Sequence, residues 1–391
     1  MKLRLAREAL AEAVAWAAHA LPARSTAPAL SGLLLTAAQH DGGTLTVSGF
    51  DYEVSARFQA RAEVLEPGAA LVPGRLLADL ARVLPSGGHE VELSSIGSDV
   101  ALVCGPVQFE LPVIPLEDYP RLPSVPAPRG TVDGALFAEA VAQVAVVAGR
   151  DESLPVLTGI RMEFHAEILR LVATDRYRLA VRELPWTPAA TSASVSGEEP
   201  VVALVPARSL HEIARSLTKG ERIAISPAPE EPGSNVLGGL IGFAAGSREA
   251  TTRLLGADFI RYQSIFPSSY TGSALIERAP LLDAVKRMAL VTERHQPLRL
   301  SFSPGLVVVN AGGSSEARGR QALDARFDAE QEPIMLAANA GYLVDGLSAI
   351  GARFVELRYT TPTKPAVLTG REDTEQPDDS YRYLFMPQRA G

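Results

Sequence analysis

The sequence predicts an α+β fold made of three repeated domains, each with two helices packed on antiparallel sheet. Two long phrases recur in order: LVPGRLLADLARVL at 71–84 returns as LVPARSLHEIARSL at 204–217, and LAEAVAWAAHAL at 10–21 returns as FAEAVAQVAVVA at 137–148. Their spacings, 133 and 127 residues, are nearly equal. Two ordered matches of this length indicate duplication of a unit of about 130 residues. Most of the remaining sequence alternates at period two between turn signals, which is typical of antiparallel strands.

A third copy of the unit is present in weaker form. LLDAVKRMALVT at 281–292 matches the first helical phrase, and NAGYLVDGLSAI at 339–350 falls where the second is expected. Units of this length are too long for a solenoid repeat, so each is predicted to be a domain with its own core. We predict domains at 1–127, 128–270 and 271–391, with the Pro-rich or Ser-rich segments 123–130 and 267–273 as linkers.

Apolar spacing predicts the elements within each unit. In the first unit, helical periodicity joins Leu10, Ala13, Val14 and Ala17 in one phrase, and Leu76, Leu77, Leu80, Val83 and Leu84 in the other. Alternation predicts strands within 45–57, 169–182, 221–226 and 306–310. The polar segments 186–200, 228–239 and 371–380 are predicted surface loops.

Composition limits the compartment and the partners. The net charge is −8 and the pI is about 5.4, and the longest apolar runs are too short to cross a bilayer. Met1 is followed by an alternating, charged segment instead of a signal peptide, and the single Cys104 cannot form an internal disulfide. We therefore expect a cytoplasmic protein that does not bind membranes.

Catalytic signatures are missing from the sequence. It lacks the phosphate-loop, dinucleotide, nucleophile-elbow and zinc-protease motifs, and its six His residues have no ligand spacing. The glycine-rich stretch 238–246 lacks dinucleotide spacing and is predicted to be a hairpin, while Cys104 in an apolar run is predicted to be a buried, inert thiol. The sequence thus favours a scaffold without catalytic activity, metal or cofactor.

Five short motifs carry a family resemblance that spans the whole chain. They are the turns PALSG at 28–32 and PVLTG at 155–159, ATDRYRLAVR at 173–182, LVPxR before a helix, and YLFMPQR at 383–389. In these the chain resembles bacterial DNA polymerase III beta subunits, the sliding clamps. The resemblance implies a homodimer that forms a ring around double-stranded DNA at the nucleoid, with helices lining the hole and sheet outside. Such a closed head-to-tail ring would leave few sheet edges exposed.

The resemblance also implies a pocket for short hydrophobic peptides. Through it the DNA polymerase III alpha subunit, the clamp loader, repair polymerases and ligase would dock, and a cyclic-peptide inhibitor could compete. Leucines and isoleucines at such positions would otherwise be read as core packing. The matching positions are Leu157, Thr174, Arg176, Tyr177, Arg178, Leu179, Ile260, Ser264, Ile265, Asn339, Tyr342, Pro365, Leu384, Met386, Pro387, Gln388 and Arg389.

Basic residues at corresponding positions of the repeats are the candidate DNA contacts. Arg24 and Arg150 lie at equivalent turns, and Arg75 and Arg208 at equivalent helix starts. A sliding ring should contact phosphates without reading bases. The alternative for the helix residues is an i,i+4 ion pair, since acidic residues follow each of them by four positions. On charge alone, Lys286, Arg287 and Arg294 are further candidates.

The resemblance places the subunit interface between the first unit of one copy and the third unit of the other. In this sequence the corresponding positions are Phe109 and Leu111 in the first unit, and Leu281 and Leu282 in the third.

Two pocket positions depart from the family pattern. Ile260 stands where most clamps have Pro, and Gln388 stands where they have Met or Val. The first change adds a β-branched side chain and frees φ, and the second puts an amide on an apolar wall. Neutral drift is one explanation. The other is a second-copy clamp that still serves its partners but rejects an inhibitor aimed at this pocket.

Overall fold

A computed structural model describes residues 1–22, 27–190, 200–217, 222–228, 239–292, 296–312, 317–327, 333–372 and 378–388. Its helices are α1 (Arg7–Ala17), α2 (Gly74–Val83), α3 (Gly134–Ala145), α4 (Ala207–Ser216), α5 (Arg278–Ala289) and α6 (Ala340–Ala349). Its strands are β1 (Lys2–Ala6), β2 (Gly32–Ala38), β3 (Thr44–Phe50), β4 (Val54–Arg61), β5 (Glu63–Glu66), β6 (Gly68–Pro73), β7 (Glu90–Ile96), β8 (Asp99–Cys104), β9 (Val107–Pro112), β10 (Gly130–Asp133), β11 (Gly159–Phe164), β12 (Ile168–Thr174), β13 (Arg178–Pro185), β14 (Thr187–Pro188), β15 (Val201–Pro206), β16 (Arg222–Ala228), β17 (Leu240–Ala245), β18 (Arg248–Arg253), β19 (Gly272–Glu277), β20 (Leu298–Ser303), β21 (Leu306–Ala311), β22 (Gly319–Phe327), β23 (Ile334–Ala338), β24 (Phe354–Tyr359), β25 (Ala366–Arg371) and β26 (Asp378–Phe385).

The helices recur as the sequence predicts, two in each of the three sequence repeats. Helices α2, α4 and α6 begin at residues 74, 207 and 340, so the spacing of 133 residues holds twice. The predicted apolar stripe of α1 is buried throughout. In α2, Leu76 and Val83 of the periodic set are 45% and 70% exposed, whereas Leu77 and Leu84 are buried. Helical periodicity gives the spacing of apolar residues, but it does not say which of them the sheet covers.

Contacts divide the chain into two compact units. Unit 1 comprises Met1–Ala135, Thr187–Ser196 and Arg208–Leu254, and unit 2 comprises Leu136–Trp186, Gly197–Ala207 and Leu255–Gly391. This division cuts the second repeat instead of following the repeat boundaries. The reason is strand pairing between repeats, because β4 of the first repeat pairs with β18 of the second, and β13 of the second pairs with β26 of the third.

Unit 1 contains two antiparallel sheets. The larger has nine strands in the order β14-β10-β16-β17-β18-β4-β3-β2-β6, and the smaller has five in the order β5-β1-β7-β8-β9. Helix α1 packs on β4 and α2. Residues of the β2, β3 and β6 regions form an apolar cluster around Phe50, Leu71 and Tyr119.

Unit 2 contains one extended sheet of twelve strands in the order β15-β11-β12-β13-β26-β25-β24-β19-β22-β21-β20-β23. Helix α5 packs against α6 and strands β19 to β22. An apolar cluster at the β12, β13, β26 and β25 strands consists of Val172, Leu179, Val181, Tyr262, Val367 and Leu384.

Two of the alternating segments each contain a hairpin. The segment 45–57 contains parts of β3 and β4, and 169–182 contains parts of β12 and β13. Each tight turn is closed by an aspartate, Asp51 or Asp175, whose Oδ1 accepts backbone N–H bonds from the residues two and three positions further on. Alternation continues through so short a turn, which is why periodicity alone did not separate the strands.

The glycine-rich stretch and the cysteine match their predictions within the described residues. The stretch forms β17 and the turn into β18, so it is a hairpin from residue 239 onward. Cys104 is fully buried at the end of β8. The strands predicted at 221–226 and 306–310 are β16 and β21, apart from residue 221, which lies outside the described residues. Only short parts of the three predicted loops lie within the described residues. Some of these parts belong to strands, including 187–188 in β14 and 378–380 in β26.

Candidate functional site

The floor of the predicted pocket is a row of side chains across the sheet of unit 2. Register pairs Thr174 with Leu179, Leu179 with Leu384, and Leu384 with Val367. Thr174, Leu179 and Leu384 are only 2%, 1% and 1% exposed, and Val367 is fully buried. Cross-strand neighbours of this kind stabilise the sheet. Val367 was missing from the sequence-based set because nothing in its own alternation distinguishes it from other strand residues.

The β12–β13 turn borders this floor. Thr174 Oγ1 donates to the carbonyl of Arg178 at 2.7 Å and accepts from the Arg176 N–H at 3.1 Å. Arg176 has φ of 80°, a left-handed conformation that non-glycine residues rarely adopt. The turn is therefore held in one shape, and it leaves the Tyr177 side chain 57% exposed.

Arg178 is engaged within unit 2. Its Nε donates to Asp175 Oδ2 at 2.8 Å, its Nη1 pairs with Asp345 of α6, and its guanidinium lies 4.6 Å from the Tyr342 ring centroid. Burial opposes the charged form, but the hydrogen bonds outweigh it and the pKa of Arg178 is raised. Arg178 thus positions the turn against α6. Asp175 and Asp345 were missed as site residues, although Asp175 lies inside the motif 173–182.

Backbone hydrogen bonds hold the C-terminal segment beside this turn. Met386 N–H donates to the Tyr177 carbonyl, and Gln388 N–H donates to the Ala337 carbonyl, each at 2.8 Å. Asn339 caps α6, because its Oδ1 accepts from the Tyr342 N–H at 3.2 Å. Tyr383 OH donates to the Tyr342 carbonyl at 2.7 Å. These contacts bring the turn, the start of α6 and the chain end together.

The segment 259–266 forms the other side of the site through Tyr262. Tyr262 is buried in the floor cluster, and Phe259, Ile265 and Phe266 pack against the same cluster. Its hydroxyl donates to Glu163 Oε2 at 3.0 Å. Burial, reinforced by the nearby carboxylate, raises the pKa of Tyr262 to about 12, so the hydroxyl remains a donor at neutral pH.

Glu163 anchors that segment from within the sheet. It is 2% exposed and accepts from Arg161 Nε at 2.7 Å and Arg170 Nη1 at 3.1 Å, besides Tyr262. Burial alone would raise the pKa of Glu163, but the hydrogen bonds from Arg161 and Tyr262 outweigh it, so the pKa is lowered. A buried carboxylate with three donors is strongly held. Neither Glu163 nor Tyr262 was predicted from the sequence.

Exposure separates the floor from the accessible surface. Tyr177, Arg176, Ile260, Ser264 and Gln388 are exposed, whereas Arg178, Ile265, Asn339, Tyr342, Pro365, Met386 and Pro387 are half-buried. Leu157 is buried, and its carbonyl accepts a hydrogen bond from the Gly149 N–H at 2.7 Å. None of the contacts above links Leu157, Ser264 or Pro365 to the floor. Arg389 lies outside the described residues.

We expect Tyr262→Phe to loosen the wall segment. The substitution leaves buried Glu163 with one donor fewer, which should cost about 1–3 kcal/mol of folding free energy in urea unfolding. Trypsin should then cleave faster after the exposed Arg261. Tyr270→Phe is the control, because the Tyr270 hydroxyl makes no hydrogen bond to another described residue. Equal cleavage rates after Arg261 in the two variants would show that Tyr262 does not hold the segment.

The candidate DNA contacts have different surroundings. Arg75 Nη2 donates to the Pro22 carbonyl at 2.9 Å, and Arg208 Nε lies 3.4 Å from Glu212 Oε1, which is the predicted i,i+4 pair. Arg150 is exposed just beyond α3. Arg24 and Arg294 lie outside the described residues. On α5, Arg287 Nε donates to Gln321 at 3.1 Å, and Lys286 is exposed.

The side chains predicted at the subunit interface differ in their burial within the single chain. Leu281 and Leu282 are 3% and 9% exposed within unit 2, and Leu111 is fully buried in unit 1. They pack in their own units because they belong to the apolar stripe of α5 and to the inward face of β9. Phe109 is half-buried on β9. At the end of α5, Leu290 is 85% exposed.

Three family models match the chain in succession. They are the N-terminal, central and C-terminal domains of the DNA polymerase III beta subunit, at residues 1–123, 131–260 and 263–389. The chain belongs to the DNA polymerase III beta subunit family. The beta sliding clamp of Streptomyces coelicolor is 47% identical over 390 residues, covering 100% of this chain and 99% of that protein. The family resemblance and the three-domain clamp fold predicted from the sequence are thereby confirmed.

Other clamps agree with this assignment. The "Beta sliding clamp homolog GriR" of Streptomyces muensis is 42% identical over 390 residues, with 100% and 99% coverage. A Pseudomonas aeruginosa sliding clamp solved with bound griselimycin superposes with a TM-score of 0.88 over 100% of both chains. At 23% identity, that likeness shows the shared fold alone.

The described residues also bear on metal binding and on membrane insertion. Among the described residues, no group of three or more His, Cys, Asp or Glu side chains could hold a metal ion. In the same part of the chain, no helix is both long enough and apolar enough to cross a membrane.

Proposed function

We propose that two copies of this chain close into a ring around duplex DNA and tether replication proteins there. The sliding-clamp family to which the chain belongs acts as a processivity factor and not as a catalyst. The observation that carries the proposal is the full-length identity of 47% to a beta sliding clamp. We infer that the chain is a scaffold of the cytoplasmic nucleoid, with domains near 1–127, 128–270 and 271–391.

Open strand edges support the head-to-tail arrangement. Among the described strands, β9 of unit 1 pairs only with β8 and ends its sheet. Residues 319–324 of β22 in unit 2 pair only with β21. Unpaired edges readily add a strand from another chain. Pairing of β9 with β22 of a second copy, repeated once, would close a ring of two.

The peptide site supports the tethering role. Its floor is apolar and rigidly held, and its border combines Tyr177, Met386 and Ile260 with a few polar groups. Such a surface suits short extended peptides with apolar anchors. We infer that the polymerase alpha subunit, the clamp loader, repair polymerases and ligase dock there in turn.

A primer-extension assay tests this function. With a cognate clamp loader and polymerase on primed circular DNA, the chain should lengthen the products made per binding event, and only when loader and ATP are present. Product lengths that do not change when the chain is added would refute the tethering role.

Arg24→Ala with Arg150→Ala should weaken DNA binding without changing sequence preference. We expect the slope of log affinity against log salt concentration to fall by about one for each phosphate that the variant no longer neutralises. Arg353→Ala is the control, because this exposed arginine already pairs with Glu277 at 3.5 Å. The proposed contacts are wrong if the double variant and the control have the same slope.

A second function, tolerance of a pocket-directed inhibitor, rests on Ile260 and Gln388. Ile260 is 38% exposed and adjoins Tyr262, whose N–H donates to the Ile260 carbonyl at 2.9 Å. It therefore alters the accessible wall of the site. The Gln388 side chain is exposed, so its amide is hydrated and carries little desolvation cost. We infer that Ile260 contributes more than Gln388 to any selectivity.

Ligand titration separates this reading from drift. A linear polymerase-type peptide should bind this protein and Ile260→Pro equally, whereas griselimycin should bind Ile260→Pro more tightly by about 1–3 kcal/mol. A preorganised ligand adapts poorly to an added β-branched side chain. Gln388→Met serves as the second variant and should change little. If griselimycin binds all three proteins alike, the substitutions are drift.

A further inference from the structure

The two aspartate-closed turns are structural counterparts. Asp51 Oδ1 accepts two backbone N–H bonds at 2.9 and 2.6 Å, and Asp175 Oδ1 accepts the same two at 3.0 Å each. The residue after each aspartate is left-handed, with φ of 74° and 80°. In these equivalent turns, Val54 of unit 1 therefore occupies the position of Arg178 in unit 2.

The helices and strands beside the turns correspond as well. Helices α4 and α6 begin 133 residues apart, at 207 and 340, so Ser209 corresponds to Tyr342 and Glu212 to Asp345. Strand register pairs Thr251 with Ser55 and Leu384 with Leu179. One position earlier in each strand, Ala250 corresponds to Tyr383.

In unit 2, large side chains fill the space between the β12–β13 turn and α6. The guanidinium of Arg178 lies between Asp175 and Asp345 and 4.6 Å from the Tyr342 ring centroid. The Tyr383 ring packs beside the same helix, where a Cβ on Gly346 would lie 2.6 Å from Tyr383 Cε1. One arginine and two tyrosines thus occupy the space between turn and helix.

Unit 1 has small residues at the same three positions. Val54, Ser209 and Ala250 leave a cavity of about 450 Å³ between the β3–β4 turn and α4. Trp16 and Ile213 contribute apolar surface to it. A cavity of this size is in the range of ligand sites.

Unit 1 keeps acidic residues at the positions of Asp175 and Asp345, although Val54 replaces the arginine that pairs with them in unit 2. Asp51 and Glu212 both line the cavity, as does Glu53. Asp51 uses Oδ1 for the turn, and its Oδ2 has no hydrogen bond to another described residue. The two lining arginines have acceptors: Arg208 pairs with Glu212 at 3.4 Å, and Arg75 donates to the Pro22 carbonyl at 2.9 Å.

We propose that this cavity binds a segment of a partner protein that carries an arginine next to an aromatic residue. The guanidinium lies between Asp51 and Glu212, as that of Arg178 lies between Asp175 and Asp345. The aromatic ring fills the volume that Tyr342 and Tyr383 fill in unit 2. This site goes beyond the proposed ring and peptide pocket, and it is formed entirely by residues of unit 1.

The test uses fluorine NMR of the full-length protein labelled with 5-fluorotryptophan. The sequence has two tryptophans, so Trp16 reports on the cavity and Trp186, which does not line it, is the internal reference. The probe is N-acetyl-Tyr-Arg-amide. It should shift the Trp16 resonance saturably, and the uncharged citrulline analogue should bind at least about tenfold more weakly.

Two variants make the test specific. Val54→Arg supplies the guanidinium from the chain itself and should abolish the shift. Asp51→Asn keeps the Oδ1 acceptor of the turn but removes the charge, and should weaken binding at least about fivefold. Thermal melting of each variant checks that the fold is intact.

Four results would overturn the proposal. They are an equal response to the citrulline analogue, an unchanged response in Val54→Arg, no Trp16 shift at about 10 mM probe, and a Trp16 shift caused by a short DNA duplex but not by the peptide. None of these depends on ring formation, so the proposal can fail while the clamp function stands.

Discussion

Leu290→Asp should convert the proposed homodimer into monomers while leaving each unit folded. Leu290 is 85% exposed at the end of α5, the helix on which the family resemblance places the subunit interface, so we expect a second copy of the chain to cover it. Removing a buried leucine costs about 2–5 kcal/mol, and a ring of two has two identical interfaces. The dimer dissociation constant should therefore rise by about a thousandfold or more.

Light scattering over a dilution series measures this shift. Ile168→Asp is the control, because Ile168 is also an exposed apolar residue of unit 2, 41% exposed, and lies on β12. Leu281→Ala should instead lower the unfolding midpoint, since Leu281 is buried within unit 2. A dimer of Leu290→Asp as tight as the unsubstituted one would remove Leu290 from the interface.

Met386→Asp should abolish peptide docking without opening the ring. Met386 is half-buried at the border of the site, and its backbone N–H, which bonds to Tyr177, is retained in the variant. A carboxylate at this position would be unfavourable next to the apolar side chains of a bound peptide. Losing a hot-spot contact costs at least about 2 kcal/mol of binding free energy, which is about thirtyfold in affinity.

Fluorescence anisotropy with a labelled polymerase-type peptide measures that decrease, and Ile168→Asp again is the control. The control lies at the opposite end of β12 from Thr174 and should bind normally. Normal peptide affinity in Met386→Asp would place the docking site elsewhere on the molecule.

The repeat carried most of what the sequence could predict about the fold. Matching phrases fixed six helices within the described residues, because equal sequence at equal spacing folds alike. Periodicity was less informative about burial: it placed Leu76 and Val83 on the apolar stripe of α2, although the sheet does not cover them. Strand pairing between repeats was also invisible, since partners such as β13 and β26 lie far apart in sequence.

Site residues could be predicted where a sequence motif contained them. Residues that hold the site in place through hydrogen bonds or ion pairs could not. Arg178 was identified through its motif, but its partner Asp345 lies 167 residues away and only folding brings the two together. Glu163 and Tyr262 were missed for the same reason, being 99 residues apart. Leu281 and Leu282, which the resemblance places at the subunit interface, are buried within unit 2 of the single chain, and their interface role stays a prediction.

Retention on DNA tests the central claim most directly. After loading by a clamp loader onto nicked circular DNA, labelled protein should remain bound through gel filtration in high salt, because a closed ring is held topologically and not by charge. Cutting the circle once should release it within minutes. The sliding ring would be contradicted if high salt removed the protein from the intact circle. It would also be contradicted if the protein stayed bound after the circle was cut.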